Sequence, residues 1–554
     1  MLRHRARRTL ANTLAIMLAS RQGATMSIPR WSPTSKTTRQ EDLLLERVNK
    51  KRRLFGLLYE YRHELLDDLF QAELEAMYCD TGAGKEPVAP ALLAMAVLLQ
   101  GYDGVSDAEA VERTVIDLRW QLVLSRLGAT EPAFSQGALH DFRHRLIRHD
   151  MDRRLLERTV ELARKTKGFD WKKLPKTLRV AIDSAPLEGA GRVEDTFNLL
   201  GRAARNIVAC VATLLGWTVD RVCAEAGIPI LVESSVKKAL DVEWSDPAQK
   251  AEALQKLAAQ LSALHRWIER TLPERMKESP LQQSLDTLKQ IVAQDLELDA
   301  DRGGTRIREG VAPDRRISIE DPEMRHGRKS KSQRINGYKR HIAADLDTDL
   351  ILAAAITRAN RPEAEATPEL QADIAHQELT IGELHIDRGY IKSTLVDAVL
   401  GMGNEVICKP WVPRRKDSAL FSKADFRINM RDFTITCPAN DVQSFQLGET
   451  VEFSTDRCDH CPLRAQCTKR PLGHGRLVKI AEDERLQQRL RKQIATKKGR
   501  ARLRQRVSIE HRLAHIVHRQ GRRARYVGVR CNLFDLRRAA TLQNLETIHR
   551  KMAA

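Results

Sequence analysis

A mixed α/β core, interrupted twice and preceded by a helical region, is the fold class this sequence predicts. Three observations carry it. Residues 40–170 show helical apolar spacing with capping signals. Short apolar or β-branched runs then appear at TLRVAIDS (177–184), KRHIAADLD with LILAAAIT (339–357), ELHIDRGY (383–390) and EVICKPW (405–411). A helical piece, ATPELQADIAHQE, stands between the second and third of these groups, and two long insertions break the series. Without those insertions, strands and helices alternate as in a layered α/β sheet.

The helical region covers 41–170 and follows a basic extension, 1–40, expected to be disordered. That extension opens MLRHRARRTLANTLAIMLAS, which suits either a targeting peptide or an upstream start with Met26 as the true first residue. Pro90 opens the apolar run ALLAMAVLLQGY. Ser106 and Glu109 form a capping box ahead of SDAEAVERTVIDLRW. In SQGALHDFRHRLIRHDM, helical spacing turns Phe142, Leu146 and Met151 inward and leaves Arg143, Arg145 and Arg148 for solvent or phosphate. A DNA-binding domain and an inert helical cap both suit this pattern.

The first part of the core spans 171–197 and a helical insertion 198–320. In the insertion Leu254, Leu257, Leu261, Leu264 and Ile268 keep three-four spacing, as do Leu281, Leu285, Leu288, Val292 and Leu296. The core resumes over 321–411, a Cys-rich insertion takes 412–480, and a basic helical part closes it over 481–554.

Charge narrows the partners. The 554 residues carry 93 Lys and Arg against 73 Asp and Glu, a net +20, so a polyanion is favoured. With 42% hydrophobic residues the chain is no disordered basic tail. No window approaches the roughly 18 apolar residues of a membrane span, which leaves nucleic acid ahead of a membrane surface. The nine cysteines show no even disulfide framework, which fits a reducing compartment.

Between Arg485 and Arg530 stand sixteen basic residues and one acid, Glu510. Arg506 precedes it by four and Arg502 by eight, near one helical face, while Ile509, Leu513 and Ile516 trace an apolar line beside it. Glu510 relieves local repulsion or holds a metal ion on that basic surface. Asp183 and Asp387 each end an apolar run before a turn-capable sequence, Ser-Ala-Pro or Arg-Gly-Tyr, where an Asp is often only a cap or turn former. Three carboxylates suffice for a pair of Mg²⁺ ions that drive an in-line phosphoryl transfer. Glu323, Asp345 and Asp347 compete for the role, the last two as hairpin-turn residues.

Cys437, Cys458, Cys461 and Cys467 give C-x20-C-x2-C-x5-C, the donor chemistry of a structural Zn²⁺ site, with His460 as an alternative ligand. Reduced cysteines in a small β insertion fit as well. Tyr338, Lys339 and Arg340, after Gly337, either grip DNA or form a solvated strand entry. Arg502 and Arg512 join them as candidate DNA contacts. GAGKE (82–86) lacks the upstream glycine of a phosphate loop, and Glu510-His511 with His515 and His518 contains no HExxH.

The stretches VAIDSAPLEG, GYKRHIAADLDTDLILAAAITRANRPEAEA, HIDRGYIKS and RVSIEHRLAHIVHRQGRRARYVGVRCNLFDLRRAATLQNL together resemble the bacterial insertion-sequence transposases of the DDE type. The segment VAPALLAMAVLLQGYDGVSDAEAVERTVIDLRWQLVL, with the later DFRHRL, resembles their helical N-terminal domain. The resemblance implies an RNase H-like catalytic core. It implies Asp183, Asp387 and Glu510 as first, second and third catalytic carboxylates with two Mg²⁺ or Mn²⁺ ions, and Arg506 as part of the signature around the glutamate. Some relatives place Tyr and Lys where this chain has Leu503 and Val517, so a hairpin intermediate does not carry over. Cysteine clusters also occur in this group. The implied partners are double-stranded DNA, as terminal inverted repeats and as target, and a second copy of the chain in the synaptic complex, within the bacterial cytoplasm. A non-catalytic DNA-binding relative and a metal-dependent nuclease without strand transfer are the rival functions.

Overall fold

In the computed structural model, residues 28–78, 86–166, 177–299, 303–329, 332–411 and 420–552 are described. Met26, Cys79 and most of the GAGKE stretch lie outside them.

Capping explains how the helical region is cut into pieces. Its helices are α1 (Arg39–Lys51), α2 (Arg53–Glu60), α3 (Arg62–Leu65), α4 (Asp68–Glu75), α5 (Pro90–Asp103), α6 (Asp107–Ile116), α7 (Leu118–Val123), α8 (Gln136–Arg148) and α9 (Met151–Lys165). Pro90 occupies the first turn of α5, and Gly104, at φ 72°, ends it in the left-handed conformation that favours glycine. The Ser106 capping box closes as expected: the Glu109 amide donates to Ser106 Oγ at 3.2 Å, and the Ser106 amide donates to Glu109 Oε2 at 3.1 Å. The run from 106 to 120 is two helices rather than one, because Asp117 leaves the helical conformation and accepts from the Arg119 amide. Every residue of α5 from Pro90 to Gln100 is buried, as an apolar run without a polar face requires.

The sheet contains β1 (Thr177–Glu188), β4 (Arg325–Arg328), β5 (Arg334–Asp345), β6 (Ile351–Arg358), β7 (Thr380–His385) and β8 (Glu405–Ile407); β2 (Leu296–Leu298) and β3 (Thr305–Ile307) form a separate hairpin. The order runs β4-β5-β1-β7-β8, with β6 also on β5. β1 is antiparallel to β5 and parallel to β7, and β8 is parallel to β7. The sheet is therefore mixed, as the strand pattern predicts. Between β1 and β4 the insertion builds α10 (Thr196–Leu215), α11 (Val219–Ala226), α12 (Val236–Leu240), α13 (Pro247–Thr271) and α14 (Leu281–Asp295) around its own apolar core. The expected inward stripe on α14 is shifted: Ile291 is buried and Val292 faces solvent.

Helix α15 (Thr367–His376) joins β6 to β7, and α16 (Thr394–Gly401) joins β7 to β8. The Cys-rich region forms β9 (Arg427–Asn429), β10 (Thr434–Thr436), β11 (Val442–Ser444), β12 (Thr450–Glu452), α17 (Thr455–Asp459), α18 (Arg464–Cys467) and β13 (Leu477–Lys479) over a small core of Phe426, Ile435, Phe445, Phe453, Val478 and Ile480. The basic segment is not one helix. It is split among α19 (Glu484–Ala495), α20 (Lys497–Gln505) and α21 (Val507–Gln520), with α22 (Val529–Met552) beyond.

Two apolar layers cover the sheet. Val180 and Ile182 of β1 join the core shared with the helical region, whereas Ala181, Ala185 and Leu187 pack with Ile509, Leu513 and Ile516 of α21. This is the two-residue alternation of a strand buried on both faces. Helix α22 runs through the junction with charged residues inside. Arg537 donates to Asp150 at 2.6 Å and to Asp373 at 3.0 Å, and Asn544 pairs with both backbone groups of Ile351 at 2.7 and 2.8 Å. Among the described residues, no single helix is long and apolar enough to cross a membrane.

Candidate active site

The parallel pairing of β1 with β7 aligns the two aspartates. Ala181 is in register with His385, and Asp183 and Asp387 each lie two residues further along. Neighbouring strands run about 4.8 Å apart, so this register carried two residues further would bring the two positions level. Neither position is a strand terminus as expected. β1 continues to Glu188, and β7 ends at His385, two residues before Asp387. Local backbone amides orient both carboxylates: Ser184 donates to Asp183 Oδ1 at 2.9 Å, and Arg388 donates to Asp387 Oδ1 at 2.7 Å.

Strand alternation places Asp183 on the face that α21 covers, the face of Ala181 and Ala185. Glu510 lies in the first turn of α21, next to the buried Ile509, and Arg506 caps that helix. The Arg506 guanidinium bridges them, with Nη1 3.4 Å from Asp183 Oδ2 and Nη2 2.7 Å from Glu510 Oε1. Nη1 is buried without a hydrogen-bond acceptor. Burial pushes the Asp183 carboxyl above its ordinary value and Glu510 adds to this, while the Ser184 amide, Arg506 and Lys329 pull the other way. An unsatisfied donor beside a desolvated carboxylate makes this a poised arrangement of charge. Arg502 lies on α20, across the break at Arg506, and so is not on the helix of Glu510.

Among the described residues, no three His, Cys, Asp or Glu side chains are gathered as a ready metal-ligand group. Between Asp183 and Glu510 the compensating positive charge is the guanidinium. The competing acids are engaged elsewhere. Asp345 accepts from the Thr348 amide and hydroxyl, Asp347 pairs with Arg179 at 2.8 Å, and Glu323 pairs with Arg358 at 3.1 Å.

The expected DNA contacts need correction. Tyr338 and Arg340 are 0% exposed. Tyr338 donates to Asp321 Oδ1 at 2.5 Å; Arg340 donates to the Pro186 and Gly521 carbonyls, both at 2.8 Å, and to Gln520 Oε1 at 2.9 Å. β5 is flanked by strands on both sides and covered by α21, so alternate residues turn into the protein. Lys339 is half-buried and donates to the Arg361 carbonyl at 2.7 Å. Arg502 is held by Glu383 and Glu405, and the buried Arg512 by Asp349 at 2.7 Å. Arg143 is likewise buried against Asp107 and not solvated. Lys497, Lys498 and Arg504 on α20 are exposed and have no acidic side-chain partner among the described residues. Lys329, whose Nζ donates to the Ser184 carbonyl at 3.2 Å, also belongs to the site. Its only sequence signal was its place in the basic run before β5.

Cys437, Cys458, Cys461 and Cys467 are free thiols that line one cavity with His460 and Asp441. Burial, and then the neighbouring cysteines, push the Cys467 thiol up. The sulfurs do not close into a ligand set in this structure.

Comparison with known families adds a decisive finding. Residues 432–549 match the transposase DDE domain family, and residues 45–145 match a transposase domain family (DUF772). Both matches support an insertion-sequence DDE transposase. No curated protein and no solved structure matches it. The match over 432–549 contains Arg506 and Glu510, whereas Asp183 and Asp387 lie between the two matched segments.

Proposed function

We propose that this transposase hydrolyses phosphodiester bonds at the ends of a DNA element and joins the freed 3′-hydroxyl to target DNA. The observation that carries the reading is the Arg506 bridge between Asp183 and Glu510. Asp387 follows two residues beyond the end of β7, the strand paired in parallel with β1. The strand order, with β5 antiparallel and β7 parallel to β1, supports an RNase H-like core.

The carboxylate oxygens suit a hard cation such as Mg²⁺ or Mn²⁺, and the bridging guanidinium marks where positive charge is favoured. Two such ions, when bound, supply Lewis-acid activation and neutralise charge on the phosphate. Asp183 and Asp387 would hold them, each oriented by its neighbouring backbone amide, and Glu510 would complete the set. Arg506 then turns from Asp183 toward a phosphate oxygen, where its unsatisfied Nη1 finds an acceptor. Lys329, Lys497, Lys498 and Arg504 supply the surrounding positive surface for double-stranded DNA. The helical region recognises the terminal repeats, and two copies of the chain hold two ends together in the cytoplasm. The four thiols on one cavity suit a structural Zn²⁺ in donor chemistry.

The test uses duplexes carrying the inverted repeats that flank the gene. Asp183→Ala, Asp387→Ala and Glu510→Gln are expected to abolish Mg²⁺-dependent end cleavage while DNA binding persists. Wild-type cleavage by Glu510→Gln would remove it from the triad. Cut ends without joined target would point to a nuclease, and salt-sensitive binding without any cutting to a regulatory relative.

A further inference from the structure

Behind the two aspartates, on the opposite face of β1, runs a chain of polar groups that the phosphoryl-transfer chemistry does not use. Ser184 follows Asp183 and therefore points away from Glu510. Its hydroxyl donates to Glu363 Oε1 at 2.5 Å. The buried Tyr390, three residues after Asp387, lies beside Ser184 and bonds at 2.7 Å to His341 Nδ1, whose Nε2 meets Thr357 Oγ1 at 2.9 Å. His341 is itself the register partner of Ser184 across β1 and β5. Burial holds this imidazole neutral, at about 3, and burial also pushes the Tyr390 hydroxyl far up, so neither ring carries charge near neutral pH.

The charged end of this chain is Glu363, in the short turn Glu363–Ala366 after β6. One of its oxygens takes the Ser184 hydroxyl. The other lies so close to Gly389 that an added Cβ there would collide with it, and would stand 3.0 Å from Glu363 Cδ. One carboxylate thus touches the residue next to Asp183 and the residue two beyond Asp387. On this geometry we propose that Glu363 is a positioning residue: it fastens the two aspartate-bearing segments to each other and so sets the spacing of their carboxylates. This rests on the reading of Asp183 and Asp387 as catalytic, but it adds a fourth acid that does not face the phosphate.

A displacement of about 1 Å at a catalytic group can cost ~100-fold in rate. Glu363→Ala is accordingly expected to slow end cleavage about 10- to 100-fold and to raise the Mg²⁺ concentration needed for half-maximal rate. DNA affinity and the melting temperature should stay near wild type. Glu363→Gln, which keeps an acceptor for Ser184, should recover most of the loss. Gly389→Ala moves the carboxylate without deleting it and should shift the Mg²⁺ requirement in the same direction. Because both act on one contact, the double variant Glu363→Ala/Gly389→Ala should be no slower than Glu363→Ala alone. Wild-type rate and Mg²⁺ requirement in Glu363→Ala would overturn the proposal, as would losses that multiply in the double variant. Asp183→Ala separates the two levels: if it too cleaves normally, the catalytic reading itself fails.

Discussion

Replacing Arg537 by Met tests how the helical region is fastened to the sheet. Arg537 is buried, and its guanidinium faces Asp150 and Asp152, at the start of the last N-terminal helix, and Asp373 on α15. Asp150 and Asp152 keep Arg530 as a second partner. Among the described residues Asp373 keeps a long bond from the Ala354 amide, at 3.4 Å, and the more remote charge of Arg153. The substitution therefore leaves one buried carboxylate without its ion-pair partner. Breaking a buried ion pair from one side costs about 3–5 kcal/mol. The cost must depend on pH. Burial pushes Asp373 above its ordinary value, with Arg537 opposing, and burial pushes the neighbouring Glu369 up to about 7. A carboxyl raised in the folded state binds more protons there than when unfolded, so the folded state gains from acid and loses that gain as pH rises. For Glu369 this happens between 4.5 and about 7. Without the opposing guanidinium the effect grows, so Arg537→Met should be most damaging at pH 8 and less so at pH 5.5. Urea unfolding followed by circular dichroism at both pH values measures this. Adding Asp373→Asn should restore part of the loss, with a coupling of about 1–3 kcal/mol. A cost under about 1 kcal/mol that is equal at both pH values would refute the reasoning, as would strict additivity of the pair.

Three further outcomes follow from the site and its surroundings. Lys497→Ala/Lys498→Ala/Arg504→Ala should flatten the dependence of log affinity on log salt by about 0.9 for each phosphate no longer neutralised, read by fluorescence anisotropy across a salt series; an unchanged slope would remove α20 from the DNA surface. Elemental analysis should find zinc in the purified protein, and Cys458→Ser/Cys461→Ser should lose it and lower the melting temperature, whereas a zinc-free wild type would refute the site. Glu383, against the upward push of burial, is held at about 2 by His385 and Arg502. A carboxylate depressed in this way stabilises the fold above its ordinary 4.5 and ceases to as pH falls toward 2. Glu383→Gln should therefore melt lower than wild type at pH 7, with the gap closing near pH 3.

The three acids proposed for the site stand out in the sequence because each is an anomaly in its own neighbourhood: two end apolar runs, and one stands alone among arginines. Their alignment was not legible. It depends on parallel pairing between strands that the whole helical insertion separates, and local sequence carries no register across such a gap. The same limit explains Tyr338 and Arg340. A glycine followed by polar residues resembles a surface turn, yet partners as distant as Asp321, Gln520 and Gly521 bury them. Arg502 was misplaced because periodicity runs unbroken through the basic stretch, while the helix is interrupted at Arg506. Glu363 gave no signal at all. It sits in a polar turn, and only the approach of Gly389 from another loop makes its position special.

The burial of α22 bears on how the protein is made. Arg530 closes onto Asp150 and Asp152 at sequence separations of 380 and 378, and Leu542, Leu545 and Ile548 belong to the same apolar layer as Phe55, Leu98 and Leu155. The first helices to leave the ribosome therefore wait, with part of their apolar surface uncovered, until a helix translated hundreds of residues later arrives to cover it. During that interval the exposed apolar surface makes the nascent chain prone to aggregation.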